Sequence, residues 1–134
     1  MVTENDSDWI GDSSMTWSLV IPAVPPSGNP FARMHWRDRD ELVDKWGLVV
    51  SNAIQRAGDK PSFTRAHFEA TLYFEASRKR DIPNFLTTLD KLVIDHVVKA
   101  GILPDDNSDV IPEFTVRFEI DESNPRTEIT LTAL

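Results

Sequence analysis

Apolar residues recur along this 134-residue chain with two different periods, and the changes of period outline its elements. Thr16–Ile21 is a short apolar and β-branched run closed by Pro22, which predicts a strand. Residues 22 to 30 hold four prolines, a glycine and an asparagine, and so predict a loop. From Asp38 to Ala57 the apolar positions Leu42, Val43, Trp46, Val49, Val50 and Ile54 fall at helical spacing and stop before Gly58. His67 to Ala76 then alternates: Phe68, Ala70, Leu72 and Phe74 against Glu69, Thr71, Tyr73 and Glu75. That is the period of a half-buried strand. Asn84 to Ala100 predicts a second helix, ended by Gly101, with Pro104-Asp105-Asp106 as a turn. Val110–Ile120 and Arg126–Leu134 predict two strands of a hairpin, joined by the polar loop 121–125. The order βαβαββ makes the chain an α+β protein, with a mixed sheet and two main helices packed on it.

The second helix is unusual. On a wheel of about 100° per residue, Leu86, Leu89, Val93, Val97 and Ala100 form one stripe, expected to face the core. Nearly opposite, Asn84, Thr88, Lys91 and Asp95 form a second stripe facing the strand end that carries Asp81. Phe85, Leu92, Ile94 and Val98 fall in neither, so the helix is too apolar all round for a surface helix. Their excess predicts a subunit interface.

Composition narrows the class. The length and the 40% hydrophobic content fit one domain with a single core, here 15–134, preceded by a polar, acidic stretch 1–14 expected to be a mobile tail. No apolar run approaches a membrane span, and the acidic start is unlike a secretory signal. Without cysteine there are no disulfides or thiolate metal sites, and a cytoplasmic location is expected. His35, His67 and His96 do not cluster, which argues against zinc.

Net charge is −8, which runs against nucleic-acid binding, but the charge is unevenly spread. Residues 33–99 carry 12 bases against 10 acids, while residues 100–134 carry two bases against eight acids. Within the middle segment, Arg78-Lys79-Arg80 runs straight into Asp81. Carboxylates suit a hard cation such as Mg²⁺, and a basic run suits a phosphate backbone. Each residue also has a plainer use: Asp81 as a turn or cap, Lys91 and Asp95 as a surface pair, Trp36 and Trp46 as packing. Trp36, between Arg33 and Arg37, also suits stacking on an unpaired base.

Four segments, in order, resemble the RusA family of Holliday junction resolvases, small endonucleases of phages and prophages. Trp17 to Pro22 leading into Pro25-Pro26-Ser27-Gly28-Asn29 looks like the family's opening strand and turn. Arg33-Met34-His35-Trp36-Arg37 follows, then Arg78 to Asn84, and last Lys91-x-x-x-Asp95 with Lys99-Ala100-Gly101 and Asp105-Asp106. The chain departs from the family's Asp-x-Asp-Asn pattern at Pro83, which has no side-chain oxygen to offer a metal. Asp90, Asp95, Asp105 and Asp106 are the carboxylates available in its place.

The resemblance implies a Mg²⁺-dependent (or Mn²⁺-dependent) endodeoxyribonuclease that resolves four-way junctions in recombination and repair, working as a homodimer on branched DNA. Carried onto this chain, Asp81, Lys91 and Asp106 are the catalytic residues, and Asp81, Asp95, Asp105 and Asp106 the metal ligands. Arg78, Lys79, Arg80, Asn84, Arg33 and Arg37 are the DNA contacts. Three alternatives remain open: a protein of this fold that binds branched DNA without cutting, a flap or fork nuclease, and an acidic protein-interaction module.

Overall fold

The computed structural model of the chain describes residues 15–134, so the stretch expected to be a mobile tail lies outside the described residues. Its elements are β1 (Thr16–Ile21), α1 (Gly28–Arg33), α2 (Trp36–Arg56), β2 (Ala66–Phe74), α3 (Pro83–Leu89), a π-helical segment (Asp90–Ile94), α4 (Asp95–Lys99), β3 (Glu113–Ile120) and β4 (Arg126–Ala133). The segments from Pro83 to Lys99 follow without a break, forming one helical rod. The fold is α+β, with one mixed sheet in the order β1-β4-β2-β3. Among the described residues no helix is long and apolar enough to cross a membrane.

Alternation decides which face of the sheet is covered. On the helix side lie Leu19 and Ile21 of β1, Ile129 and Leu131 of β4, and Ala66, Phe68, Ala70 and Leu72 of β2, all essentially inaccessible. The other face is polar, and its pairs cross between strands. Ser18 and Thr130 hydroxyls lie 3.4 Å apart, His67 Nε2 lies 2.8 Å from the Thr115 hydroxyl, and Arg117 pairs with Glu69 at 3.3 Å. Helix α2 packs on β1 and on the π-helical segment.

The expected hairpin is not formed. Strand β4 pairs antiparallel with β1 and β2, whereas β3 pairs parallel with the far side of β2. The chain leaving β3 must therefore cross the end of β2 before returning. Its polar loop does this by docking on that end: Asp121 N–H donates to Phe74 C=O at 2.9 Å. Arg126 then lies over the Tyr73 ring, 3.7 Å from its centroid, and binds Asp121 at 2.7 Å and Glu128 at 2.8 Å. A five-residue loop reads the same in sequence whether it turns back beside its own strand or steps over one neighbour.

Other boundaries shift for local reasons. The Pro-rich stretch expected to be all loop ends in α1, which begins at Gly28. Strand β3 starts at Glu113 because Pro112 has no N–H for a ladder; the buried Val110 instead accepts from Ala66 N–H. Trp46 packs in the core as expected, but Trp36 stands exposed at the start of α2, with Arg37 over its ring.

Candidate metal centre and basic cleft

The helical rod corrects the wheel. Thr88, expected on the polar face, is fully buried, and Leu86, expected in the core, is exposed. Phe85, Leu92 and Ile94 are buried within the chain's own core, so the excess that predicted a subunit interface is consumed internally. A further departure from the wheel is the π-helical segment, in which Asp95 N–H donates to Asp90 C=O, five residues back. In a regular α-helix, residues five apart point about 140° away from each other. The wider turn stacks them instead, and it rotates everything that follows.

The rod ends at Gly101, whose φ of +83° suits a residue without a side chain. Gly101 N–H donates to Val98 C=O and Ile102 N–H to Val97 C=O, the paired bonds of a Schellman motif. Ile102 and Leu103 are then driven into the core, and Ile102 C=O accepts from Phe63 N–H. This anchored reversal carries the loop 104–109 back beside the π-helical segment.

Three carboxylates meet there. Asp90, Asp95 and Asp106 each offer one oxygen, and all three oxygens lie within 4.8 Å of one another. Ligands at 2.0–2.1 Å from one Mg²⁺ sit about 3–4 Å apart, so the spacing fits a hard cation, and the all-oxygen donor set suits one too. Burial pushes the Asp90 carboxyl up to about 7, helped by its hydrogen bond with Asp106 and by the charges of Asp106 and Asp95. Asp106 is held below the usual carboxylate range, first by that same bond with Asp90. The opposite shifts favour a proton on Asp90, the less accessible partner, over one on Asp106. The positive charge of Lys91 favours ionisation of both.

Two expected ligands are elsewhere. Asp105 spends its carboxylate on the loop itself, accepting from Asp106 N–H at 2.7 Å and from the Asn107 side-chain amide at 3.2 Å. Asp81 lies outside the acidic group. It precedes α3, with its C=O accepting from Asn84 N–H, and seven residues of helix separate Pro83 from Asp90, about 10 Å of rise. Asp95 and Asp106 are brought together as expected, and Asp90 joins them. Asp90 is one of the carboxylates that the sequence makes available in place of Pro83. Lys91 forms no ion pair with Asp95 among the described residues, the π-helical turn having moved Asp95 out of i,i+4 alignment.

Asp81 instead lines a second feature, a cleft of about 680 Å³ between the loop after β1 and the loop after β2. Arg78, Lys79, Arg80 and Asn84 line it too. Its position is set by three mutually edge-on rings, Phe74, Phe85 and Phe118, with centroids 5.1–5.4 Å apart. They fix the start of α3 on the ends of β2 and β3. Arg80 is tied to its own loop. Its guanidinium lies 3.8 Å from the Phe74 centroid and donates to the carbonyls of Ala76 and Arg78, shaping the loop. Arg78 and Lys79 are exposed and make no ion pair among the described residues. Arg33 and Arg37 are exposed as well but line no part of the cleft. His35 caps α2, its Nδ1 accepting from Arg37 N–H.

No protein-family model matches the chain, and no curated protein is significantly similar to it in sequence.

Proposed function

We propose that the chain is a divalent-metal-dependent endodeoxyribonuclease acting on branched DNA, four-way junctions above all. The observation that carries this reading is the Asp90–Asp95–Asp106 cluster, with the Lys91 charge beside it and the Arg78–Lys79 cations on the loop that opens the same helical rod. The order of segments resembling RusA resolvases supports the choice of substrate.

Asp90, Asp95 and Asp106 would hold Mg²⁺ or Mn²⁺. A divalent cation bound there supplies charge neutralisation at the phosphate and a more acidic water. Lys91 faces the same charge and would stabilise negative charge on the phosphate oxygens as it develops. Arg78 and Lys79 would hold backbone phosphates and fix the register of the duplex, with little base information. Asp90 takes the part that the family's second Asp plays, since Pro83 has no oxygen to give. For a near-two-fold junction the working unit would be a homodimer. The outer edge of β3 supports one, because it is unpaired among the described residues and exposes Phe114 and Ile120.

The test is cleavage of a labelled four-way junction at low salt, with Mg²⁺, with Mn²⁺ and with chelator, for the wild type, Asp106→Asn and Asp81→Asn. The reading expects paired, metal-dependent nicks that vanish in Asp106→Asn and survive in Asp81→Asn. Pro83 favours a second reading, a junction binder that does not cut, and binding without nicks under either metal would establish that one.

A further inference from the structure

The cleft beside Asp81 combines three kinds of surface that a bare phosphate chain does not need together. Val24 and Pro26, from the loop after β1, give it an apolar wall. Arg78 and Lys79 give it two exposed cations without ion-pair partners among the described residues. Ser27 and Asn84 line it as well; Ser27 makes no capping bond, and neither side chain is hydrogen-bonded among the described residues.

The cleft is also held open in a fixed shape. Gly28, at the start of α1, comes so close to α3 that an added Cβ would stand 2.9 Å from the Asn84 carbonyl oxygen. On the opposite wall, Arg80 is bonded to its own loop and stacked on Phe74. Its volume of about 680 Å³ is that of a small-molecule site, larger than an ion requires.

We propose that this cleft seats one unpaired nucleotide of the bound DNA. The base lies against Val24 and Pro26, within reach of the Ser27 and Asn84 side chains, and the flanking phosphates lie on Arg78 and Lys79. An apolar wall gains nothing from a phosphate, and two free cations gain nothing from a neutral apolar ligand. A nucleotide uses both. The inference rests on the reading of the chain as a binder of branched DNA, where nucleotides at the crossover are the ones free to leave the stack.

The test changes the DNA, so that folding of the protein is not at issue. Labelled four-way junctions carry a single abasic site, moved one position at a time through the arms beside the crossover, and their affinities for the full chain are compared at low salt with chelator present. A parallel series uses an Arg78→Ala/Lys79→Ala double variant, whose folding is checked by its melting temperature. The proposal expects one position at which loss of the base weakens wild-type binding about tenfold, as loss of one well-seated base does. It expects the double variant to weaken binding at every position. Uniform affinity across the abasic series overturns the nucleotide seat while leaving junction binding intact. An unchanged affinity in the double variant overturns the placement of the phosphates. No binding of the intact junction overturns the seat and the DNA reading together.

Discussion

Asp95 donates its backbone N–H to the carbonyl of Asp90 across a π-helical turn, and the carboxylates of these two residues meet Asp106 on one side of the rod. A one-residue widening of the helix thus converts two aspartates five positions apart into neighbours. π-helical turns are rare and are found frequently at functional sites. Here the turn has an identifiable product, a three-carboxylate cluster, and an identifiable support, the buried side chains of Leu92, Val93 and Ile94 in the same five residues.

The raised Asp90 carboxyl makes stability depend on pH. In the metal-free protein Asp90 keeps its proton up to about 7, while in the unfolded chain an aspartate loses it near 4. Between those values the native state binds more protons than the unfolded one, so stability falls as pH rises. The contribution is full below about pH 4 and lost on passing about pH 7, with Asp106 working the other way in acid. The melting temperature of the metal-free chain is expected to drop from about pH 5 to about pH 8, and Asp90→Asn to flatten the curve. A wild-type melting temperature flat across that window would show that no such proton is held.

The two exposed cations of the cleft and the bonded one should behave differently. Arg78→Ala and Lys79→Ala are each expected to weaken junction binding, and each to lower the slope of log affinity against log salt by about 0.9. Arg80→Ala removes two hydrogen bonds to the loop and the stack on Phe74, so it is expected to lower the melting temperature and leave the salt slope nearer the wild-type value. Salt titrations of the three variants distinguish these cases. Equal slopes for all three would show that Arg80 meets phosphate after all.

Much of the fold was legible because it rests on short-range periodicity. Thr16–Ile21 reads as β1 residue for residue, and the alternation of Phe68, Ala70, Leu72 and Phe74 against Glu69, Thr71 and Tyr73 gives β2 and its buried face. Strand partners were not legible. Nothing local in residues 121–125 distinguishes a hairpin from a step over β2; the Arg126 contacts that secure the step depend on Tyr73, far away in sequence. Asp95 and Asp106 were legible as members of the acidic group through the Lys-x-x-x-Asp and Asp-Asp motifs. Asp90 is legible too, as one of the carboxylates available in place of Pro83, whereas nothing local to Asp81 tells that the acidic group gathers farther along the rod without it. The π-helical segment packs on α2, far away in sequence, and such a contact is not encoded in periodicity.

Close approach of two backbones gives a prediction on stability. Gly28→Ala puts a Cβ 2.9 Å from the Asn84 carbonyl oxygen, and backbone cannot move aside as a side-chain tip can. The expected cost is about 1–2 kcal/mol, overpacking outweighing the gain in helix propensity at the first position of α1. Chemical denaturation measures it. A variant as stable as the wild type would show that the loop after β1 is not pressed against α3.

The central claim is that Asp90, Asp95 and Asp106 form a divalent metal site, and binding of Mn²⁺ to the full chain, followed by the loss of the free-ion electron paramagnetic resonance signal, tests it most directly. The account predicts specific binding in the wild type and in Asp81→Asn, and its loss in Asp90→Asn and in Asp106→Asn, with all four proteins folded. Binding that survives Asp106→Asn, or that disappears only in Asp81→Asn, would contradict it.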